Sequence, residues 1–206
     1  MNPSAQGYVY LVDDDPDIRF YLSDLLRQLG YVVATFADAD TFFKESMDLS
    51  PAVVLMDMRM PGLTGVQAQQ RLQAIGRQTP VVFISGESHP QEIIDAMKGG
   101  AVDFLIKPFN REQLVAALDR ALARDVKQRD QFVRLTHVQR MFKALTERER
   151  EVFFLILQGH ANQSIGELTG VQADTVKKHR AAVFDKFQVS STAELMALCA
   201  GLDLAN

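Results

Sequence analysis

Side chains that could carry phosphoryl chemistry follow four apolar segments in the first half of the chain. The carboxylates of Asp13 and Asp14 follow the first segment, and Asp57 follows the third. Ser85 follows the fourth segment, and Lys107 follows the fifth. Crowded carboxylates repel one another and need protons or a cation, for which Mg²⁺ is suited because it prefers oxygen ligands. Together with the lysine and the hydroxyl, they predict a site where a carboxylate accepts a phosphoryl group.

These side chains should meet at one edge of a parallel sheet. Five apolar runs read as buried strands: Tyr8–Val12, Val32–Phe36, Ala52–Met56, Val81–Ile84 and Val102–Ile106. Amphipathic segments between and after them read as helices: 16–29, 38–48, 64–75, 89–98 and 110–124. This alternation predicts a flavodoxin-like, doubly wound α/β fold with strand order 2-1-3-4-5. Its first and third strands are neighbours, so Asp13, Asp14 and Asp57 should converge.

Charge divides the chain into three parts. Residues 1–109 carry 8 basic and 14 acidic side chains, whereas residues 110–142 carry 7 basic and 4 acidic ones. Residues 143–206 carry 7 basic and 8 acidic side chains. The middle part lacks glycine and proline, which predicts a helical connector. The whole chain has a net charge of -4, which excludes a uniformly basic nucleic-acid binder but not a local basic face.

Composition favours a cytoplasmic protein. The chain has 206 residues and one cysteine, Cys199, so an intramolecular disulfide is excluded and a reducing compartment is expected. No apolar run approaches the roughly 18 residues of a membrane span, and no signal-peptide pattern opens the chain. The four histidines are scattered without metal-ligand spacing, which argues against zinc.

The last third of the chain reads as helices only. They are expected at 147–158, 162–168, 174–188 and 192–200, with capping-box patterns at Thr146–Glu149 and Ser191–Glu194. A capped helix, a short helix, a turn at Gly170 and a longer helix together predict a helix-turn-helix. In the longer helix, the core face should carry Val176, Val183 and Phe187. The outward face should carry Lys177, Lys178 and Ala181.

Four motifs in the first part resemble the receiver domain of two-component response regulators. They are VYLVDDDPDIR, VVLMDMRMPGLTG, VVFISG and AVDFLIKPF, and the resemblance covers residues 7–124. It implies that Asp57 accepts phosphoryl from a sensor histidine kinase. It also implies that Asp14 binds Mg²⁺ directly, Asp13 binds it through water, and the Arg59 backbone carbonyl completes the metal site.

The same resemblance implies a switch. Ser85 would supply the switch hydroxyl, Lys107 the phosphate contact, and Phe104 the aromatic ring that turns inward on phosphorylation. An aromatic residue in a strand is more often a core residue, so both interpretations of Phe104 stay open.

The runs LTEREREV, NQSI and DTVKKHR are similar to the LuxR-type DNA-binding domain of NarL/FixJ-class response regulators, over residues 143–204. The resemblance implies DNA contacts by residues of the longer helix, namely Thr175, Lys177, Lys178 and Ala181. Three positions depart from the family pattern. Gln163 replaces a basic residue, Thr169 replaces a leucine whose place Leu168 could fill by rotation, and Gln172 replaces a serine or threonine cap.

These observations predict a receiver at 7–124, a helical linker at 125–142 and a LuxR-type helix-turn-helix domain at 143–206. The expected function is that of a transcription regulator rather than an enzyme. Phosphorylation of Asp57 would promote formation of a homodimer and sequence-specific binding to double-stranded DNA. An adaptor whose helical domain binds a protein is the alternative. A haloacid-dehalogenase-type phosphatase is disfavoured, because it needs a second aspartate where Arg59 stands.

Overall fold

The computed structural model describes residues 6–45, 49–86 and 89–202. The chain divides into two compact units, with the boundary between Arg129 and Asp130. Residues 46–48 of the expected helix 38–48 and residues 203–206 of the expected C-terminal domain lie outside the described residues. None of the helices in the described part is long and apolar enough to cross a membrane.

The first unit is built on a parallel sheet. Its strands are β1 (Tyr8–Val12), β2 (Val32–Phe36), β3 (Ala52–Asp57), β4 (Val81–Ser85) and β5 (Asp103–Ile106). The strand order is β2-β1-β3-β4-β5, which confirms the predicted fold. Tyr8 pairs with both Val32 and Ala52, so the carboxyl ends of β1, β2 and β3 lie at the same edge.

Helices cover both faces of the sheet. They are α1 (Pro16–Gln28), α2 (Ala39–Phe43), α3 (Gly65–Ala74), α4 (Pro90–Lys98) and α5 (Arg111–Lys143). Alternate residues of β1 belong to two different core clusters. Tyr10 lies in the cluster that includes Phe42 of α2, and Leu11 lies in the cluster that includes Leu118 of α5. Burial on both faces explains why the three central strands, β1, β3 and β4, are apolar almost throughout.

The longest helix, α5, joins two predicted segments. Asn110 and Gln113 close its N-terminus reciprocally, at 2.8 and 2.9 Å between backbone nitrogen and side-chain oxygen. From Arg111 the helix continues without a break to Lys143, through the segment expected to be a connector. The absence of glycine and proline accounts for this continuity, since no residue there disfavours the helical backbone.

The second unit contains a helical core. After the last turns of α5 come α6 (Glu147–Leu157), α7 (Asn162–Thr169), α8 (Ala173–Phe187) and α9 (Thr192–Cys199). Gly170 ends α7 with φ +70°, a left-handed conformation that glycine adopts without strain. Gly166 allows the turn to approach α7, because a Cβ there would lie 2.7 Å from the Val171 carbonyl oxygen.

Two local expectations were wrong in this unit. Leu168 is 61% exposed and does not fill the position of Thr169, whose hydroxyl donates instead to the Ile165 carbonyl at 2.7 Å. The capping box expected at α9 is only half present. Ser191 caps the Glu194 N–H at 3.2 Å, but the Glu194 carboxylate accepts the Ser190 N–H rather than that of Ser191.

Candidate functional site

Two buried carboxylates and one ammonium meet at the carboxyl ends of the strands. Lys107 Nζ donates to Asp13 Oδ2 at 2.9 Å and to Asp57 Oδ1 at 2.8 Å. Asp13 is 1% exposed and Asp57 is 7% exposed, so water screens these charges poorly. Asp13 follows β1, and Asp57 ends the neighbouring strand β3. Lys107 follows β5, which lies two strands away from β3. Only a long side chain spans that separation, which explains a lysine at this position.

Backbone hydrogen bonds hold the segment that follows β3. The Arg59 N–H donates to Asp57 Oδ2 at 2.7 Å, and the Met58 N–H donates to the Ile84 carbonyl at 2.9 Å. Gly65 begins α3 directly against this segment, because a Cβ on Gly65 would lie 2.9 Å from the Asp57 carbonyl oxygen. The position of the Asp57 carboxylate is therefore set by β3, β4 and the start of α3 together.

The segment between β1 and α1 fixes Asp13 and turns Asp14 outward. The Asp15 N–H donates to Asp13 Oδ1 at 2.9 Å, and the Arg19 guanidinium donates to the Asp13 carbonyl at 2.6 Å. Asp15 also caps α1. Asp14 is exposed. Across the three described ranges, no three acidic, histidine or cysteine side chains are grouped as metal ligands. Of the three carboxylates expected to converge, the structure brings together Asp13 and Asp57.

The electrostatics of this pocket suit a divalent cation. Burial raises the pKa of Asp13, although the Lys107 ammonium and the Asp15 N–H oppose that effect. Burial alone would lower the pKa of Lys107, but its hydrogen bonds to Asp57 and Asp13 raise the pKa above its ordinary value. With both carboxylates ionised, one buried negative charge is left uncompensated. Asp13 and Asp57 offer the oxygen ligands that Mg²⁺ prefers, and this ion keeps several of its waters when bound.

The two expected switch residues lie on β4 and β5. Ser85 ends β4 and is 2% exposed, and its carbonyl accepts the Lys107 N–H at 2.7 Å. This bond places Ser85 directly beside the pocket. Phe104 pairs with Phe83 across the two strands, and its half-buried ring packs against the core cluster of the α2–α4 face. Both interpretations of Phe104 are compatible with this position.

The orientation predicted for α8 is confirmed. Val176 and Val183 are fully buried and Phe187 nearly so. The residues expected on the outer face, Lys177, Lys178 and Ala181, are all exposed. Thr175, for which the resemblance implies a DNA contact, is exposed as well. Lys177 Nζ forms an exposed ion pair with Asp174 at 3.0 Å, within the first turns of the same helix. Contact of this face with DNA stays a prediction.

Two further basic residues of α8 point inward. The Arg180 guanidinium donates to the His160 carbonyl at 3.2 Å and to the Thr192 hydroxyl at 2.7 Å. Lys186 Nζ donates to Glu149 Oε2 at 2.6 Å, and this bond is the largest cause that lowers the pKa of Glu149. The sequence carried a signal for Arg180, because it lies four residues after Val176 on the core face. The basic outer face therefore consists of Lys177 and Lys178.

Both units match known families. Residues 9–119 match the family described as response regulator receiver domain, and residues 143–199 match the one described as bacterial regulatory proteins, luxR family. Response regulator protein TmoT of Ectopseudomonas mendocina is 32% identical over 93% of this chain and 87% of its own length. Tetrathionate response regulatory protein TtrR of Salmonella typhimurium is 36% identical over 91% of this chain and 89% of its own length.

A solved structure extends this similarity over both units. The structure of response regulator StyR is 35% identical, with a TM-score of 0.81 over 95% of this chain and 98% of that one. The similarity in sequence and in backbone therefore extends over 95% of the chain.

Proposed function

The chain belongs to the response regulators that join a receiver domain to a luxR-family DNA-binding domain, and on this premise we propose that phosphorylation of Asp57 controls its binding to DNA. The two families together make it a transcription regulator. We assign the receiver to 7–124, the linker to 125–142 and the DNA-binding domain to 143–206. The proposed donor is a sensor histidine kinase, and the proposed place of action is the cytoplasm.

The observation that carries this proposal is the lysine shared by two buried carboxylates. An oxygen of Asp57 attacks the phosphorus of a phosphohistidine, so that a P–O bond forms while the P–N bond breaks. Lys107 lies 2.8 Å from the Asp57 carboxylate, where it can neutralise negative charge on the transferred group. The Arg59 N–H orients the other carboxylate oxygen. No enzymatic turnover of a substrate is assigned to the chain.

Magnesium has a defined place in this proposal. Asp13, Asp14, Asp57 and the Arg59 carbonyl would hold it, with Asp13 acting through water. When bound, Mg²⁺ supplies positive charge that offsets the crowded oxygens. After transfer, the Ser85 hydroxyl would hydrogen-bond the new phosphoryl oxygens, and Phe104 would take the space that Ser85 leaves.

Magnesium should stabilise the protein through this pocket. At a Mg²⁺ concentration 100 times its dissociation constant, the free energy of unfolding should rise by about 2.7 kcal/mol. The increment should nearly vanish in Asp57→Asn and Asp14→Asn, and it should survive in Asp24→Asn, which alters an exposed carboxylate of α1. Because burial raises the pKa of Asp13, Mg²⁺ affinity should fall as the pH is lowered through that pKa.

Thermal unfolding monitored by circular dichroism, with and without saturating Mg²⁺, measures this increment. The metal-dependent difference is the readout, since removal of a carboxylate also relieves repulsion in the metal-free protein. An equal increment in wild-type protein and Asp57→Asn would place Mg²⁺ somewhere other than this pocket.

The two outer lysines of α8 should contact DNA phosphates. Lys177→Ala and Lys178→Ala should each weaken binding and reduce the slope of log affinity against log salt by about one unit. Lys127→Ala, which removes an exposed charge of α5, should leave the slope unchanged. Fluorescence anisotropy with labelled duplex DNA over a series of salt concentrations measures these slopes.

The alternative is an adaptor whose helical domain binds a protein. The inward orientation of Arg180 and Lys186 favours it, because only two lysines remain on the outer face of α8. A gel shift with phosphorylated protein at two salt concentrations separates the two functions. Saturable, salt-dependent binding to duplex DNA supports the transcription regulator, and absence of binding at both concentrations supports the adaptor.

A further inference from the structure

The side chain of Arg59 leads away from the pocket that its backbone helps to form. The Arg59 backbone nitrogen lies 2.7 Å from Asp57 Oδ2. The Arg59 Cα is therefore within about 4.2 Å of that oxygen, given an N–Cα bond of about 1.46 Å. The guanidinium nevertheless donates to Glu92 Oε2 on α4, at 3.3 Å. A long and flexible cationic side chain is thus attached beside the phosphoacceptor while its charge is paired elsewhere.

The Arg59–Glu92 ion pair is held weakly. The side chains are 46% and 38% exposed, so water competes with both partners. Exposed pairs of this kind contribute little, because solvent screens the attraction and two long side chains lose freedom. A stronger anion nearby could therefore take the guanidinium at small cost.

Glu92 also has a contact that does not depend on Arg59. Its carboxylate accepts the His89 N–H at 2.9 Å, and this bond is the largest cause that lowers the pKa of Glu92. The carboxylate lies in the first turn of α4, where the helix dipole favours negative charge. Departure of Arg59 would leave Glu92 with a hydrogen-bond donor and with solvent.

We propose that the Arg59 side chain is a mobile phosphoryl contact, which leaves Glu92 and binds the phosphoryl group when Asp57 is phosphorylated. This inference rests on the proposed function of Asp57. The phosphoryl group carries about -1.5 to -2 charges, more than Glu92 presents. Lys107 already contacts the Oδ1 side of Asp57, whereas Arg59 approaches the Oδ2 side. A guanidinium suits this role because its planar donors match phosphate oxygens.

The exchange has a consequence for α4. In the unphosphorylated protein the Arg59–Glu92 pair connects the segment after β3 to the first turn of α4. Movement of Arg59 to the phosphoryl group removes that connection. Phosphorylation therefore reaches α4 by a second route, separate from the route through Ser85 and Phe104.

Titration of the full-length protein with beryllofluoride in saturating Mg²⁺ tests the exchange, with binding followed by NMR. Arg59→Gln should bind this phosphoryl mimic about tenfold more weakly, through loss of a charge-assisted hydrogen bond. Glu92→Gln should bind about threefold more tightly, because the competing partner of Arg59 is gone while an amide oxygen still accepts the His89 N–H. The double variant should match Arg59→Gln alone.

Arg71→Gln is the matched control. Arg71 forms an exposed ion pair with Asp40 at 3.1 Å, and its side chain is 48% exposed, close to the value for Arg59. Its removal changes net charge equally and should leave affinity for the mimic unchanged. A merely structural role of the Arg59–Glu92 pair predicts weaker binding in both variants, so tighter binding in Glu92→Gln identifies the exchange.

The outcomes separate this inference from the proposed function. If wild-type protein and Arg59→Gln bind the mimic equally well, the inference is wrong and the proposed function stands. If Glu92→Gln also tightens binding in the double variant, which lacks the Arg59 side chain, the inference is wrong as well. Wild-type protein that does not bind the mimic at all overturns the proposed function together with the inference.

Discussion

Replacement of Asp57 by asparagine should abolish phosphorylation of the protein by a small phosphodonor with Mg²⁺. Asparagine keeps an oxygen that can accept the Arg59 N–H, but it loses the charged nucleophile that must attack phosphorus. Wild-type protein should gain one phosphoryl group by intact mass spectrometry, and Asp57→Asn should gain none. The expected loss is complete because, among the described residues, Asp57 is the buried carboxylate that both contacts Lys107 and ends the strand paired with β4.

The matched control is Asp24→Asn, which should be phosphorylated as wild type is. Peptide mapping after reductive trapping of the acyl phosphate should place the group on Asp57. A phosphoryl group found on Asp13 or Asp15 contradicts the assignment. Asp13 shares the lysine, but its second oxygen accepts the Asp15 N–H and its carbonyl is bound by Arg19.

The sheet could be predicted from the sequence because its three central strands, β1, β3 and β4, are buried on both faces. The apolar runs predicted the first and last residues of β1 and β2 correctly. The runs ended one residue early at β3 and β4, where pairing continues through the polar residues Asp57 and Ser85. Hydropathy stops at the last apolar residue, whereas a ladder of backbone hydrogen bonds does not.

Charge patterning was a poor guide to the end of α5. The change in charge balance near residue 110 and the expected connector at 125–142 suggested separate segments, but one helix spans Arg111–Lys143. Helices end where the backbone or its capping changes, and charge alone changes neither. Apolar periodicity also ended too late at α2, which stops at Phe43 before the charged residues Lys44 and Glu45.

In the site, topology was predictable and side-chain direction was not. Strand order alone implied that Asp13 and Asp57 would meet. The outward direction of Asp14 depends on the hydrogen bonds that hold the Asp13 segment, and no periodicity encodes them. The partner of Arg59 lies 33 positions further along the chain, on α4, so only the folded structure reveals it.

Phosphorylation should make the protein dimerise and bind DNA with two half-sites about 100-fold more tightly. Apolar side chains are exposed on α4 and at the end of β5, namely Ile94, Met97 and Ile106. They are candidates for a surface that pairs with a second copy once the switch residues and Arg59 have moved. Two linked DNA-binding domains gain affinity through effective concentration, typically by about 10² to 10⁴. Half-sites one helical turn apart, about 10 base pairs, allow both α8 helices to bind.

Sedimentation with and without beryllofluoride measures the first step, and DNA titration measures the second. The mimic should convert monomer to dimer at micromolar protein concentration. The gain in affinity should appear on DNA with two half-sites and should be small on DNA with one, because a single half-site cannot use the linkage.

A pair of matched variants separates dimerisation from general effects of a new surface charge. Ile106→Lys adds a cation to the proposed dimer surface at a residue that is 59% exposed, whereas Ile75→Lys adds one beyond the end of α3 at a residue that is 52% exposed. With the mimic, Ile106→Lys should stay monomeric and keep only the affinity of a single domain, because a dimer would bury like charges. Ile75→Lys should dimerise and bind as wild type does.

If both variants lose the gain in DNA affinity, or if neither variant loses it, this location of the dimer surface is contradicted. If wild-type protein binds DNA equally well with and without the mimic, phosphorylation is not coupled to DNA binding. The charge on Asp57 would then change no element that affects α8.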